Sequence, residues 1–263
     1  MNLTLVRQCP NCSADLEEAQ QYCGRCGQKT QLHRFNLVHI FHELFHAVTH
    51  ADSGFLHLTK GLAVCPGHAA REYVLEGKRK KYFNPFTYLL IVLGITLLVY
   101  SVAHPYTRSH SSEAAAVQAN SSAVNPQMKP YLERRQQVSA FFEKNSKVTL
   151  FFAIPIISLA FWLFFLRSGI NYAEHLVANI FFAGFYMLFT ALVLVPIMVV
   201  LHLKFLNTLQ LAFQAVYLTI AYYQFMKYHR PVLYLRTALA TVSGLLLWSA
   251  FSGGLVYLYI AFG

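Results

Sequence analysis

The sequence predicts a mostly α-helical, polytopic membrane protein with about five transmembrane helices. Three observations carry that expectation. Only 12% of the residues are Asp, Glu, Lys or Arg against 56% apolar, about half the charge fraction of a soluble domain. The apolar residues are gathered into five blocks after residue 85, whereas a soluble chain spreads them at period 2 or 3.6 around one core. Each block is near or above the ~20 residues that a helix needs to cross hydrocarbon.

The chain divides into three units: residues 1–30, a His-rich segment over 31–81, and a membrane domain over 82–263. The first unit holds four of the five cysteines, in the pattern Cys9-x2-Cys12-x10-Cys23-x2-Cys26. Two C-x-x-C knuckles can each aim two thiolates at one ion and together complete a tetrahedron. Pro10, Gly24 and Gly27 supply turn-forming backbone. A segment this short cannot bury enough core to fold alone. Zinc supplies the missing free energy, on the order of 10 kcal/mol in small zinc modules. Two disulfides would need an oxidising compartment; a redox C-x-x-C would need a βαβ context, and iron–sulfur sites use other spacings. The reading is a structural zinc ribbon with Zn2+ as its cofactor. Its four thiolates leave no open position for catalysis.

The second unit contains seven of the twelve histidines, from His33 to His68. His42-Glu43-Leu44-Phe45-His46 matches H-E-x-x-H, in which two His one turn apart hold a metal and the Glu activates water. On a helical wheel His39, His42, Glu43, His46 and His50 share a face about 100° wide, opposite Leu37, Phe41, Leu44, Phe45 and Val48. One account makes this an amphipathic interfacial helix with a solvated His face. The other makes His42 and His46 metal ligands with Glu43 as general base. His50 and Asp52 are further candidate ligands, with His57 and His68 more remote ones. His42 and His50 lie roughly 12 Å apart along a straight helix, too far to share one ion comfortably. The amphipathic account is the leading one.

Asp52 or Ser53 can cap a short helix ending near Leu62, Pro66 can open the next, and Gly77 is placed to end it. Lys78, Arg79, Lys80 and Lys81 then abut the first span beside Tyr82 and Phe83. This run suits anionic headgroups or simply fixes orientation. The expected spans are Phe86–Ala103, Val148–Leu166, Leu176–Leu201, Leu206–Met226 and Val232–Ile260. The fourth is diluted at its start by Asn207, Thr208, Gln210 and Gln214. Residues 1–30 have no apolar signal-peptide core, so the first span is expected to serve as its own insertion signal. Basic residues before that span place the N-terminus in the cytosol. Five crossings then put residues 104–147 (an extracytoplasmic loop and helix) and the C-terminus outside.

Several residues resemble a known pattern: Cys9 to Gln28 as C-x-x-C…C-x-x-C-G-Q, Thr49-His50-Ala51-Asp52-x-Gly54-Phe55, then Pro66-Gly67, Arg71-Glu72-Tyr73, Gly77-Lys78-Arg79, Tyr82 and Pro85. This looks like a bacterial family of unknown function that joins a zinc ribbon to several membrane helices. Cys65 departs from the pattern, standing where a basic residue often precedes the Pro-Gly. The resemblance implies membrane location and zinc, and no activity.

The functional expectation is a non-enzymatic protein of the bacterial cytoplasmic (inner) membrane, whose cytosolic ribbon is a platform for recruiting or sensing a protein partner. The first alternative is a membrane-embedded metalloenzyme, a hydrolase or lipid-modifying enzyme built on His42, Glu43 and His46. The second is transport or lipid handling, for which the spans carry few charges. Glu174, His175, His202 and Arg236 stand at their margins. The net charge of +10 sits largely beside the apolar blocks. It therefore points to the bilayer, and to anionic lipid within it, rather than to nucleic acid.

Overall fold

The structure, a computed structural model, describes residues 8–16, 20–30, 54–103, 151–201, 206–227 and 231–262. These residues are mostly helical, with no strand among them. Two short helices come first, α1 (Phe55–Val64) and α2 (Pro66–Val74). The longer ones follow: α3 (Pro85–Ala103), α4 (Phe151–Phe164), α5 (Tyr172–Leu201), α6 (Leu206–Met226) and α7 (Pro231–Phe262). The predicted exported loop and the segment carrying His42, Glu43, His46, His50 and Asp52 lie outside the described residues.

All five apolar blocks are helical where described, and three of them are long and apolar enough to cross a membrane: α3, α5 and α7. The described part of α4 is shorter, and α6 carries Thr208, Gln210 and Gln214, which lower its hydropathy. Both still pack inside the same bundle. Phe161 of α4 stacks on Tyr222 of α6 with ring centroids 3.5 Å apart. α4 and α7 approach at Gly244, where a Cβ would lie 3.4 Å from Ala160 Cβ and 3.5 Å from the Ile157 side chain. α7 is peripheral, with only 17% of its apolar window buried. The row from Val232 through Leu239, Leu246 and Phe251 to Leu258 is therefore left to lipid.

α5 starts four residues earlier than the hydropathy expectation of Leu176 because a capping box holds its first turn. Asn171 Oδ1 accepts from the Glu174 amide at 2.9 Å, and Glu174 Oε2 accepts from the Asn171 amide at 2.8 Å. Hydropathy penalises Glu174, yet satisfying two orphan N–H groups at a helix start outweighs that penalty. His175, expected at a margin, is fully buried beside Phe165 and Tyr222. α3 and α5 cross closely at Gly184, where a Cβ would sit 2.7 Å from the Tyr88 ring.

Pro66 opens α2 and Gly77 follows it in the left-handed conformation, as the sequence predicts. α1 runs to Val64, two residues past its expected end. This short hairpin lies against the bundle. The Tyr217 hydroxyl of α6 donates to Leu62 O at 3.2 Å, and α2 rests on the last turns of α6.

Candidate metal centre and its dock on the membrane helices

The four ribbon cysteines converge. Their sulfurs all lie within 4.8 Å of one another, with Cys9–Cys26 and Cys12–Cys23 at 3.6 Å. Disulfide sulfurs would be about 2.0 Å apart, so these are free thiols. Around a tetrahedral ion with metal–sulfur bonds of about 2.3 Å, neighbouring sulfurs stand about 3.8 Å apart, which these spacings approach.

The two knuckles repeat one backbone pattern. Cys9 N–H donates to Ala14 O and Ser13 N–H to Cys9 O, both at 2.8 Å. Cys23 N–H to Gln28 O and Gly27 N–H to Cys23 O repeat these at 2.8 Å. Gly27 is left-handed at φ 69° and Ser13, its counterpart, at φ 58°. The sequence marks the first position with glycine and leaves the second unmarked.

The donor set suits a cation. N–H groups of Cys26 and Arg25 bond the Cys23 sulfur and hold that thiol below its usual range. Burial opposes ionisation of Cys26, but the Gln28 amide, Asn11 and the neighbouring sulfurs bring it down to about 7. At Cys12 the Ala14 amide favours the thiolate. Burial and the sulfurs of Cys26, Cys23 and Cys9 outweigh it and push the thiol up to about 12. Four thiolates cannot share this space without a positive ion among them, and a divalent metal removes that conflict.

The ribbon is joined to the helices by the residue after its last knuckle. Gln28 is 3% exposed, and its Oε1 accepts the Lys80 backbone N–H at 2.9 Å. Lys80 belongs to the basic turn that closes on Glu72 of α2. Lys78 Nζ lies 2.6 Å from Glu72 Oε1 and Lys81 Nζ 2.6 Å from Oε2, where the Tyr82 hydroxyl also donates at 2.5 Å. Lys78 also meets Glu76 at 3.1 Å. α2 in turn grips α6. Arg71 donates to Phe225 O at 2.7 Å and Gly67 N–H to Gln224 Oε1 at 3.1 Å. A path of direct bonds therefore runs from the thiol cluster through Gln28, the basic turn and Glu72 to α6.

The four basic residues singled out in the sequence thus divide. Lys78 and Lys81 spend their charge on Glu72, while Lys80 is exposed and contributes its backbone to the dock. Glu72, Gln28 and Gly67 had no role in the sequence reading beyond membership of the recognised motifs. His57 packs its ring on Tyr82, with centroids 5.5 Å apart, and His68 is exposed. Among the described residues the thiol cluster is the one group of three or more potential metal ligands. Cys65 is exposed between α1 and α2.

Residues 52–97 match the family described as "Protein of unknown function (DUF3667)". That match takes in α1, α2, the Glu72 cluster and most of α3. Neither the curated proteins nor the solved structures compared with the chain contain a match.

Proposed function

We propose that this chain, with its family segment at residues 52–97, is a non-enzymatic protein of the bacterial cytoplasmic membrane. Its structural zinc ribbon serves as a cytosolic platform that recruits or senses a protein partner. The observation that carries the reading is the Lys80 N–H to Gln28 Oε1 bond at 2.9 Å. It holds a metal-organised module on the mouth of the first span instead of leaving it on a tether. Four thiolates fill the tetrahedron, so the metal keeps no position for water or substrate and acts as scaffold. Tyr22 is 59% exposed, and Arg25 and Lys29 are also exposed, offering a partner an aromatic and two cations. Thiolate ligands suit a reducing compartment, which supports the cytosolic side.

The test is metal analysis of the full-length protein combined with a photoreactive amino acid at Tyr22 in cells. The expectation is one tightly held zinc per chain and a discrete protein adduct. Cys23→Ser should abolish both while the membrane domain still inserts. Gln28→Ala should keep the zinc and expose the Lys80 amide to exchange. An adduct that persists in Cys23→Ser, or zinc content unchanged by it, overturns the proposal.

A further inference from the structure

Asn179 sits about 10 Å along α5 from Tyr172, counting 1.5 Å per residue, within the membrane-crossing stretch. It is 3% exposed. Its Nδ2 donates to Ser158 Oγ at 2.9 Å and to the Tyr222 hydroxyl at 2.7 Å. Ser158 already donates to Ile154 O at 2.6 Å, so it can only accept from Asn179, and this fixes which end of the amide faces it. Both amide hydrogens are used. The carbonyl Oδ1 has no partner among the described residues.

Asn179 lines a cleft between α4, α5 and α6 that is open on one side and encloses about 20 Å³. Ile154, Ile157, Ala183 and Leu218 form apolar walls, and Gln214 brings a second amide. Gln214 is half-buried and makes no hydrogen bond to the described residues. Among the described residues, no Asp, Glu, Lys, Arg or His lines the cleft.

We propose that this cleft binds an uncharged membrane amphiphile that enters sideways from the bilayer. Its hydroxyl or amide N–H donates to Asn179 Oδ1, and its apolar chain lies along Ile154, Ile157 and Leu218. Hydrocarbon cannot satisfy a polar group, so an amide carbonyl at this depth calls for a donor. The ligand must donate because an acceptor is what Asn179 has left. It must be uncharged because the lining holds no countercharge and an isolated charge at this depth is costly. The enclosed space, about 20 Å³, takes one group the size of a water or a hydroxyl, so the head enters beside Asn179 while the chain stays outside it along the apolar wall. The inference does not depend on the ribbon.

The experiment uses the full-length protein in phosphatidylcholine nanodiscs and a long-chain alcohol carrying a diazirine, compared with its methyl ether. Labelled peptides are mapped by mass spectrometry. The alcohol should label α4–α6 saturably, with about ten-fold preference over the ether, the worth of one hydrogen bond in a dry site. Ala183→Phe should fill the cleft and abolish labelling there, and Gln214→Leu should weaken it. Both leave the Asn179–Ser158–Tyr222 bonds in place. Equal labelling by alcohol and ether, labelling unaffected by Ala183→Phe, or no labelling of the cleft overturns the proposal.

Discussion

Replacing Glu72 with glutamine removes one negative charge from a point where two ammonium groups converge. Burial alone would raise the pKa of this carboxyl. Hydrogen bonds from Lys78, Lys81 and Tyr82, with the Lys81 charge, outweigh burial and hold it at about 2 against an ordinary 4.5. A difference of that size is worth about 3 kcal/mol. Lys81 is 37% exposed, so screening trims its share and leaves an expected loss of about 2–3 kcal/mol. Glutamine keeps the size of the side chain and an acceptor for Tyr82, which isolates the charge. Hydrogen exchange at pH 7 on the full-length protein should then show the Leu75 and Lys78 amides, bonded to Arg71 O and Glu72 O, exchanging roughly thirty- to a hundred-fold faster. Unchanged protection refutes the reasoning, as does a Glu72→Gln/Lys78→Met double variant whose loss equals the sum of the singles.

The same node fixes a pH window. The folded pKa of Glu72 is depressed, so its stabilisation is complete above 4.5 and is lost as pH falls towards about 2. Lys78 runs the other way. Glu72 raises its pKa, so its contribution is complete below 10.5 and fades as pH climbs through the raised folded value. Wild-type protein should therefore lose thermal stability between pH 4.5 and 2, and Glu72→Gln should lack that part of the loss.

Gly67→Ala should lift α2 from α6, because its Cβ would lie 2.1 Å from Ala221 O and 2.3 Å from Phe225 N, backbone atoms that cannot swing aside. A cost at or above the usual ~1–3 kcal/mol of overpacking is expected, read as a lowered thermal midpoint and new proteolysis at Arg71. A reporter before Met1 should be cytosolic, and reporters at Ser111 and after Gly263 should be outside. A cytosolic Gly263 reporter with Ser111 outside would mean that one of α4–α7 does not cross. Glu43→Gln should leave the Tyr22 adduct intact, whereas Phe41→Asp or Phe45→Asp should weaken it by charging the apolar face of the amphipathic helix. Loss of the adduct in a folded, inserted Glu43→Gln protein would favour the metalloenzyme alternative.

Helices α3, α6 and α7 were legible within one or two residues because lipid demands contiguous apolar side chains, and such runs are visible without tertiary context. The start of α5 was not, because Asn171 and Glu174 act through hydrogen bonds that hydropathy scores as a penalty. The thiol cluster was legible from spacing alone, since two C-x-x-C pairs have few other uses. Its dock was not. Gln28 and Lys80 are far apart in sequence and form a side chain-to-backbone bond with no compositional signature. Glu72 was hidden in the same way. It reads as one acid in an amphipathic helix until the turn after Gly77 folds Lys78 and Lys81 back onto it.

That fold-back gives the basic run two lives. While the chain inserts, no node exists, and Lys78, Arg79, Lys80 and Lys81 all weigh in the bias that orients the first span. Once folded, Lys78 and Lys81 face Glu72, and Lys78 also faces Glu76. The two glutamates then hold Lys78 and Lys81, while Lys80 is exposed and makes no ion pair among the described residues. At about 1 kcal/mol per surface charge, each lysine committed to Glu72 takes about that much from the attraction of the run to anionic lipid. Neutralising Lys80 should therefore weaken binding of the folded protein to anionic vesicles more than neutralising Lys78 does. Either change should bias insertion equally. If Lys78→Gln lowers vesicle binding as much as Lys80→Gln, the ammonium of Lys78 is not committed to Glu72 in the folded protein.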